Sequence, residues 1–305
     1  MLFAVNAGSN TLSMFTIDPK NPSKPKLVGS PVDTLGEFPI SVDYSPKLRQ
    51  ACVLNGGKKV GVACFTVDHV HGLKAKGPLR KMGKSYANET TPASGVIGTA
   101  AQVLFNPDSS AVFATVKGNG FFPPLQLGSM VAWPVTNGEV STKEPVLSQI
   151  PGIHMDFGFE FINKSTIFLT DASSGTSLLH VGADLKATET VHTQVPGQFI
   201  TCWTAYERSL NTLYAMDGAR NLIYLINPQT GAHFDNITVT TPPAADKMIH
   251  TEGVYDSAIK NGKMYSIAYT NGLLVFDLAT KKQMQYLDLT SYGERPHWQG
   301  MAVWP

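Results

Sequence analysis

The stretch ACVLNGGKKVGVACFTVD, residues 51–68, decides the fold. One apolar run closes on Asn55. A Gly-Gly-Lys-Lys turn follows, and a second apolar run closes on Asp68. Gly and Asn supply the positive φ that a tight hairpin needs, so the stretch reads as two antiparallel strands. The plan recurs along the chain. It is seen in MLFAVNAGSNTLSMFTID from Met1, VFATVKGNGFFPPLQLGSMVAWPV from Val112, IFLTDASSGTSLLHVGAD from Ile167, LYAMDGARNLIYLINPQTG from Leu213 and MYSIAYTNGLLVFDLAT from Met264. The six passages begin 50, 61, 55, 46 and 51 residues apart. A recurrence of roughly 40–60 residues built only from strands is the signature of a β-propeller.

Each passage reads as the second and third strands of a four-stranded antiparallel blade. A strand precedes it at 38–46, 100–108, 154–162, 199–207 and 250–259, and an irregular outer strand follows, as at 26–34 and 233–241. The first passage has no preceding strand. The closing segment HWQGMAVWP, 297–305, repeats the pattern of FPISVDYSP and AAQVLFNPD, and is expected to supply it. That closure makes residues 1–305 a single all-β domain of six blades and leaves no open sheet edge. The alternative is a seven-bladed protein whose first blade lies upstream of Met1.

Bulk composition narrows the function classes. The chain has 305 residues, 43% of them hydrophobic and 15% charged, with a net charge of +1. There is no polybasic run of the kind phosphate-driven nucleic-acid binding uses, and no apolar run near the roughly 18–20 residues of a membrane span. A monomer is expected. Of the three cysteines, Cys52 and Cys64 fall opposite one another when the hairpin is paired about Lys58, and a disulfide is expected between them. Cys202 reads as a buried thiol. The sequons at Asn88, Asn163 and Asn236 are candidate glycosylation sites. With the cysteine pair they point to an extracellular or cell-wall protein. No signal peptide precedes Met1, which keeps a cytoplasmic alternative open.

Several of these passages carry a resemblance. VNAGSNTLSMFTIDPKNP, GEFPISVDYSP, CVLNGG with its second Cys, VKGNGF and the closing RPHWQGMAVWP resemble the fungal 3-carboxymuconate cyclase-like group of the lactonase-type β-propellers, which also includes bacterial 6-phosphogluconolactonase. The resemblance implies seven blades and a site in a central channel. It implies interconversion of a carboxymuconate and its lactone without metal or cofactor. It also implies a second possibility, since many fungal members are secreted or wall glycoproteins, some of them antigens. No catalytic residue of the cyclase is carried across. The six visible units depart from the family's seven, so a truncated or vestigial member is a third possibility.

Polar residues recur where the inner strands start. They are Glu37, Gln102, His154 with Asp156, Gln198 with Thr201, His250 with Glu252, and Arg295 with His297 and Gln299. Three of the eight histidines stand at these starts. Lactone chemistry needs a group that moves a proton near neutral pH and a cation that holds carboxylate or enolate. His154, His250, Glu252 and His297 are therefore the acid/base candidates. Arg295 is the candidate anion clamp and Arg220, in the GARN turn, a second; Gln299, Glu37 and Gln102 are candidate substrate contacts. The partner is a small carboxylated molecule or lactone, or else an extracellular or wall ligand. The plain alternative for each residue is that it satisfies backbone groups and ordered water near the axis. Trp133, Trp203, Trp298 and Trp304 read as blade packing. There is no G-x-S-x-G, Walker A or G-x-G-x-x-G motif, and no metal-ligand spacing.

Overall fold

The computed structural model describes residues 1–83, 89–120, 123, 125–242, 253–293 and 300–304. The described chain is all-β, with six antiparallel blades of a β-propeller. It divides into two compact units, Met1–Met155 with Val181–Thr188, and Asp156–His180 with Glu189–Pro305.

In the first unit, β1 (Leu2–Asn6), β2 (Thr11–Asp18), β3 (Asn21–Leu27) and β4 (Val32–Asp33) form blade 1. Blade 2 holds β5 (Pro39–Ser45), β6 (Gln50–Asn55), β7 (Gly61–Asp68) and β8 (Gly72–Ala75). Blade 3 holds β9 (Ala100–Phe105), β10 (Ala111–Val116), β11 (Ser129–Thr136), β12 (Glu139–Val140) and β13 (Val146–Ser148). The outer strand read at 26–34 starts earlier, at Asn21. Residues 32–33 form a separate strand on β2, since Pro31 and the positive φ of Gly29 break the run.

The interior of this unit follows the two-residue period of the strands. Ala51 and Val53 on β6 join Leu12, Met14 and Phe65 in one cluster, while Cys52 and Leu54 join Val103, Val112 and Trp133 in another. Both faces of β6 are thus covered, which is why its sequence is an unbroken apolar run. Cys52 pairs with Cys64 in register, and the two form a disulfide. Blades 2 and 3 are also bolted through Arg80, which is 2% exposed. Its guanidinium donates to the carbonyls of Val140 (3.0 Å), Ser141 (3.1 Å), Lys76 (3.3 Å) and Pro78 (3.4 Å).

The second unit contains most of blade 4, with β14 (Asp156–Asn163), β15 (Thr166–Asp171), β16 (Gly175–Val181) and β17 (Ala187–Gln194). Blade 5 has β18 (Thr201–Glu207), β19 (Thr212–Asp217), β20 (Leu222–Ile226) and β21 (His233–Thr238). Blade 6 has β22 (Val254–Lys260), β23 (Lys263–Ala268), β24 (Gly272–Asp277) and β25 (Lys282–Asp288). First strands of successive blades lie side by side, β14 against β18 and β18 against β22. Close approach is enforced by glycine: a Cβ on Gly253 would fall 1.9 Å from the Gly218 carbonyl.

Four of the hairpins share one device. An Asn or Asp ends the strand before the turn and bonds the backbone or hydroxyls around it. Asn6 donates to Thr11 Oγ1 and Ser13 Oγ, and Asn55 to the Gly61 carbonyl. Asp171 accepts from Ser173, and Asp217 from the N–H groups of Phe199, Ile200 and Ala219 and from the Tyr224 hydroxyl. Burial and the Asp217 carboxylate push the Tyr224 phenol far above its ordinary range.

Residues 297–299 and 305 of the expected closing strand lie outside the described residues, and 300–304 form no strand. Met301 nevertheless donates its N–H to Asp256 Oδ2 on β22, at 2.8 Å. The N–H of Val103 on β9 meets Ser41 Oγ of β5 in a similar way, at 3.1 Å.

Candidate functional site

The five first strands β5, β9, β14, β18 and β22 each carry a register shift near their start, where they pair with their second strands. A bulge re-aims the side chains around it, and bulges gather near sites. At two of them a threonine hydroxyl takes the displaced N–H. Thr115 Oγ1 accepts from Gln102 at 3.3 Å, and Thr170 Oγ1 from Gly158 at 3.1 Å.

His250, Glu252, Arg295, His297 and Gln299 lie outside the described residues, as do Asn88 and Trp298. In the first unit Glu37 is half-buried, and its Oε2 accepts from Thr91 Oγ1 at 2.5 Å. Gln102 sits half-buried on β9. His154 is half-buried, and its carbonyl takes the Gly120 N–H at 3.4 Å. In the second unit Arg220 is exposed, with its guanidinium 5.5 Å from the Phe199 ring centroid. Asn163 and Asn236 are exposed. Trp133 is fully buried as packing requires, but Trp304 is 41% exposed, because no strand forms around it.

A pocket of about 230 Å³ opens in the second unit, on the middle of three neighbouring first strands. Glu160 of β14, Thr204 and Tyr206 of β18, and Ser257 of β22 line it, together with Ala205, Ala258 and Ile259. Arg220 is not among its lining residues. On β18 the pocket residues lie three and five positions past Thr201, which at about 3.3 Å per residue is roughly 10–17 Å along the strand. Glu160, Thr204, Tyr206 and Ser257 lie past the strand starts, where the polar residues singled out from sequence stand. Their signal was the polar member in each of GFEF, WTAY and VYDS, hidden because alternation is what any half-buried strand shows.

The pocket combines one carboxylate with three hydroxyls. Ser257 Oγ is fixed by Ser266 Oγ (2.7 Å) and the Tyr255 carbonyl (3.0 Å). Beside it, burial pushes the Asp256 carboxyl up to about 6, against the opposing hydrogen bonds from Met301 and Ser257. An aromatic line, Phe157–Trp203–Tyr255, crosses the same three strands at centroid separations of 4.9 and 4.8 Å. Such a set can hydrogen-bond a hydroxylated ring and place a base beside it. Among the described residues no three His, Cys, Asp or Glu side chains gather as a metal would require.

The chain matches no protein-family model and no curated protein. Solved structures do resemble it. The periplasmic gluconolactonase of Pseudomonas aeruginosa aligns over 92% of this chain and 77% of its own, with a TM-score of 0.67 and 13% identity. A candidate 6-phosphogluconolactonase of Bacteroides uniformis aligns over 90% and 76%, with a TM-score of 0.66 and 12% identity. The fold they share with this chain is the β-propeller. A chain in a nidogen/laminin complex aligns as well, over 98% and 95%, with a TM-score of 0.64 and 10% identity. At these identities the likeness shows fold alone, and one fold serves several functions.

Proposed function

We propose that the chain is a lactonase-like propeller that acts on a small lactone by acid/base chemistry of its own side chains, without a metal. The observation that supports this most is the pocket itself, where Glu160 and three hydroxyl-bearing side chains meet on adjacent first strands of a lactonase-type fold. Glu160 takes a proton from water as its oxygen adds to the lactone carbonyl, then returns that proton to the ring oxygen as the ring C–O bond breaks, giving the hydroxy acid and a free carboxylate. The hydroxyls of Thr204 and Ser257 hold the ring. The acid/base candidates His154, His250, Glu252 and His297 and the substrate contacts Arg295, Arg220, Gln299, Glu37 and Gln102 rest on the sequence alone, and none of them lines this pocket. A carboxylated substrate, and the fungal cyclase branch, rest on the sequence resemblance; Arg220, exposed and stacked on Phe199, is the described cation that suits a carboxylate. The test is a panel containing glucono-1,5-lactone and a carboxylated muconolactone, run with the wild type and Glu160→Gln. Loss of about 10²-fold or more in turnover is expected for the variant. Unchanged turnover in Glu160→Gln removes Glu160 from the mechanism, and a wild type inert on the whole panel removes the lactonase reading.

A second reading has its own support. The Cys52–Cys64 disulfide and the exposed sequon asparagines Asn163 and Asn236 suit an extracellular glycoprotein that uses the propeller as a binding scaffold. The mass of the native protein decides it: unglycosylated chains with both thiols reduced count against this reading.

A further inference from the structure

Glu160 on β14 and Tyr206 on β18 both line the pocket, and one side chain touches both strands. Arg208 opens a short 3₁₀ turn, Arg208–Leu210, directly after β18. Its guanidinium carbon lies 4.6 Å from the centroid of the Tyr206 ring. Its Nη1 donates to the Ile162 carbonyl at 2.7 Å and its Nη2 to the Phe161 carbonyl at 2.8 Å. Phe161 and Ile162 are the two residues after Glu160.

Consecutive carbonyls of a regular strand point to opposite sides, and a single fork does not ordinarily reach both. β14 shifts register between Phe161 and Asn163, which lets these two carbonyls meet one guanidinium. The planar fork then takes both while its face stacks on an aromatic ring, a combination that lysine lacks. The Arg208 backbone is fixed as well. Glu207 Oε1 accepts from the N–H (3.0 Å) and Oγ (2.6 Å) of Ser209, and Asn211, at φ 50°, donates its N–H to the Arg208 carbonyl at 3.2 Å. An exposed cation is thus tied at both ends, although surface arginines usually move freely.

We propose that Tyr206 is the catalytic hydrogen-bond donor to the oxygen that gains negative charge when water adds to the lactone carbonyl, and that Arg208 is its positioning residue. Arg208 holds the ring against the pocket and sets the span between Tyr206 and Glu160. The inference rests on the lactonase reading above and adds to it a donor and the residue that aims it. No further reactant is needed: water adds, the ring C–O bond breaks, and the phenol keeps its proton throughout.

The experiment is a double-mutant cycle in the full chain with Tyr206→Phe, Arg208→Ala, Arg208→Lys and Tyr206→Phe/Arg208→Ala, assayed on glucono-1,5-lactone. Tyr206→Phe is expected to lower kcat about 10²-fold with KM changed less than about threefold, the loss typical of one oxyanion donor. Arg208→Ala is expected to cost about tenfold in kcat alone and almost nothing once Tyr206 is Phe, because coupled residues are not additive. Arg208→Lys should recover part of the loss. An equal Arg208→Ala loss in both backgrounds, or unchanged kcat in Tyr206→Phe, overturns the proposal. Ring ¹³C signals of Tyr206, assigned by their disappearance in Tyr206→Phe, give a readout independent of turnover and of overall stability. They should move in Arg208→Ala and Arg208→Lys. A wild type without turnover whose Tyr206 signal still follows Arg208 sinks the lactonase reading and leaves the strap standing. Turnover with an unmoved signal sinks the strap alone.

Discussion

Strands β6 and β7 of blade 2 and strands β18 and β22 of blades 5 and 6 come from the same repeating unit, yet they have opposite characters. β6 is buried at every position, and β7 from Gly61 to Phe65. β18 and β22 are half-buried along most of their length and carry Thr204, Tyr206, Asp256 and Ser257. The difference comes from position within the blade. A second or third strand has a hydrogen-bonded neighbour on each side and a packed cluster on each face. A first strand has a paired neighbour on one side, and its other edge must be satisfied by side chains. Asp43 Oδ2 takes the Phe105 N–H at 2.7 Å, and Asp256 takes that of Met301. Polar residues on first strands are therefore demanded by the architecture. Glu160, Thr204, Tyr206 and Ser257 differ from the other polar residues of first strands in that they also border a pocket.

The contrast breaks if a middle-strand substitution is mild. Phe65→Ala on β7, a fully buried position, should cost about 3–5 kcal/mol in denaturant unfolding and leave lactone affinity unchanged. Next in size is the cross-strand bridge. Cys52→Ala/Cys64→Ala should lose about 2–3 kcal/mol for a loop of this length, visible also as a lower thermal midpoint of the wild type after reduction.

Acid sharpens the comparison from the other side. Folding raises the Asp256 carboxyl to about 6 from an ordinary 3.8. Between roughly pH 4 and 6 the folded chain holds the extra proton, so stability should fall as pH rises through that window. Burial raises Asp43 in the same direction. Asp256→Asn should flatten the slope and leave the share due to Asp43; a thermal midpoint that keeps its full pH dependence in Asp256→Asn rules this out. The smallest effect belongs to the pocket wall. Thr204→Val should change stability by about 0.5 kcal/mol or less while raising the KM of a hydroxylated lactone.

The fold was readable because its cause is local. Asn55, Asp171 and Asp217 close hairpins through their own side chains, and an apolar run on each side of such a turn leaves little choice. The Cys52–Cys64 pairing was readable for the same reason, since the register follows from the turn. Glu160 and Tyr206 were not readable. Neither strand betrays that β14 and β18 lie side by side, and the register shifts change which residues share a face. The outer strand of blade 1 starts before the stretch that its sequence suggests, because β3, NPSKPKL, is exposed at every position and carries no periodic signal.

Arg80 has a consequence for the solution conditions the first unit tolerates. Its charge is balanced by four peptide carbonyls, while the Glu139 carboxylate acts only at longer range. A carbonyl dipole is neither protonated in acid nor displaced by chloride. The Arg80 contact between blades 2 and 3 should thus hold in brine and at low pH, where the Asp43–Phe105 and Lys76–Glu139 contacts beside it, which depend on a carboxylate, loosen.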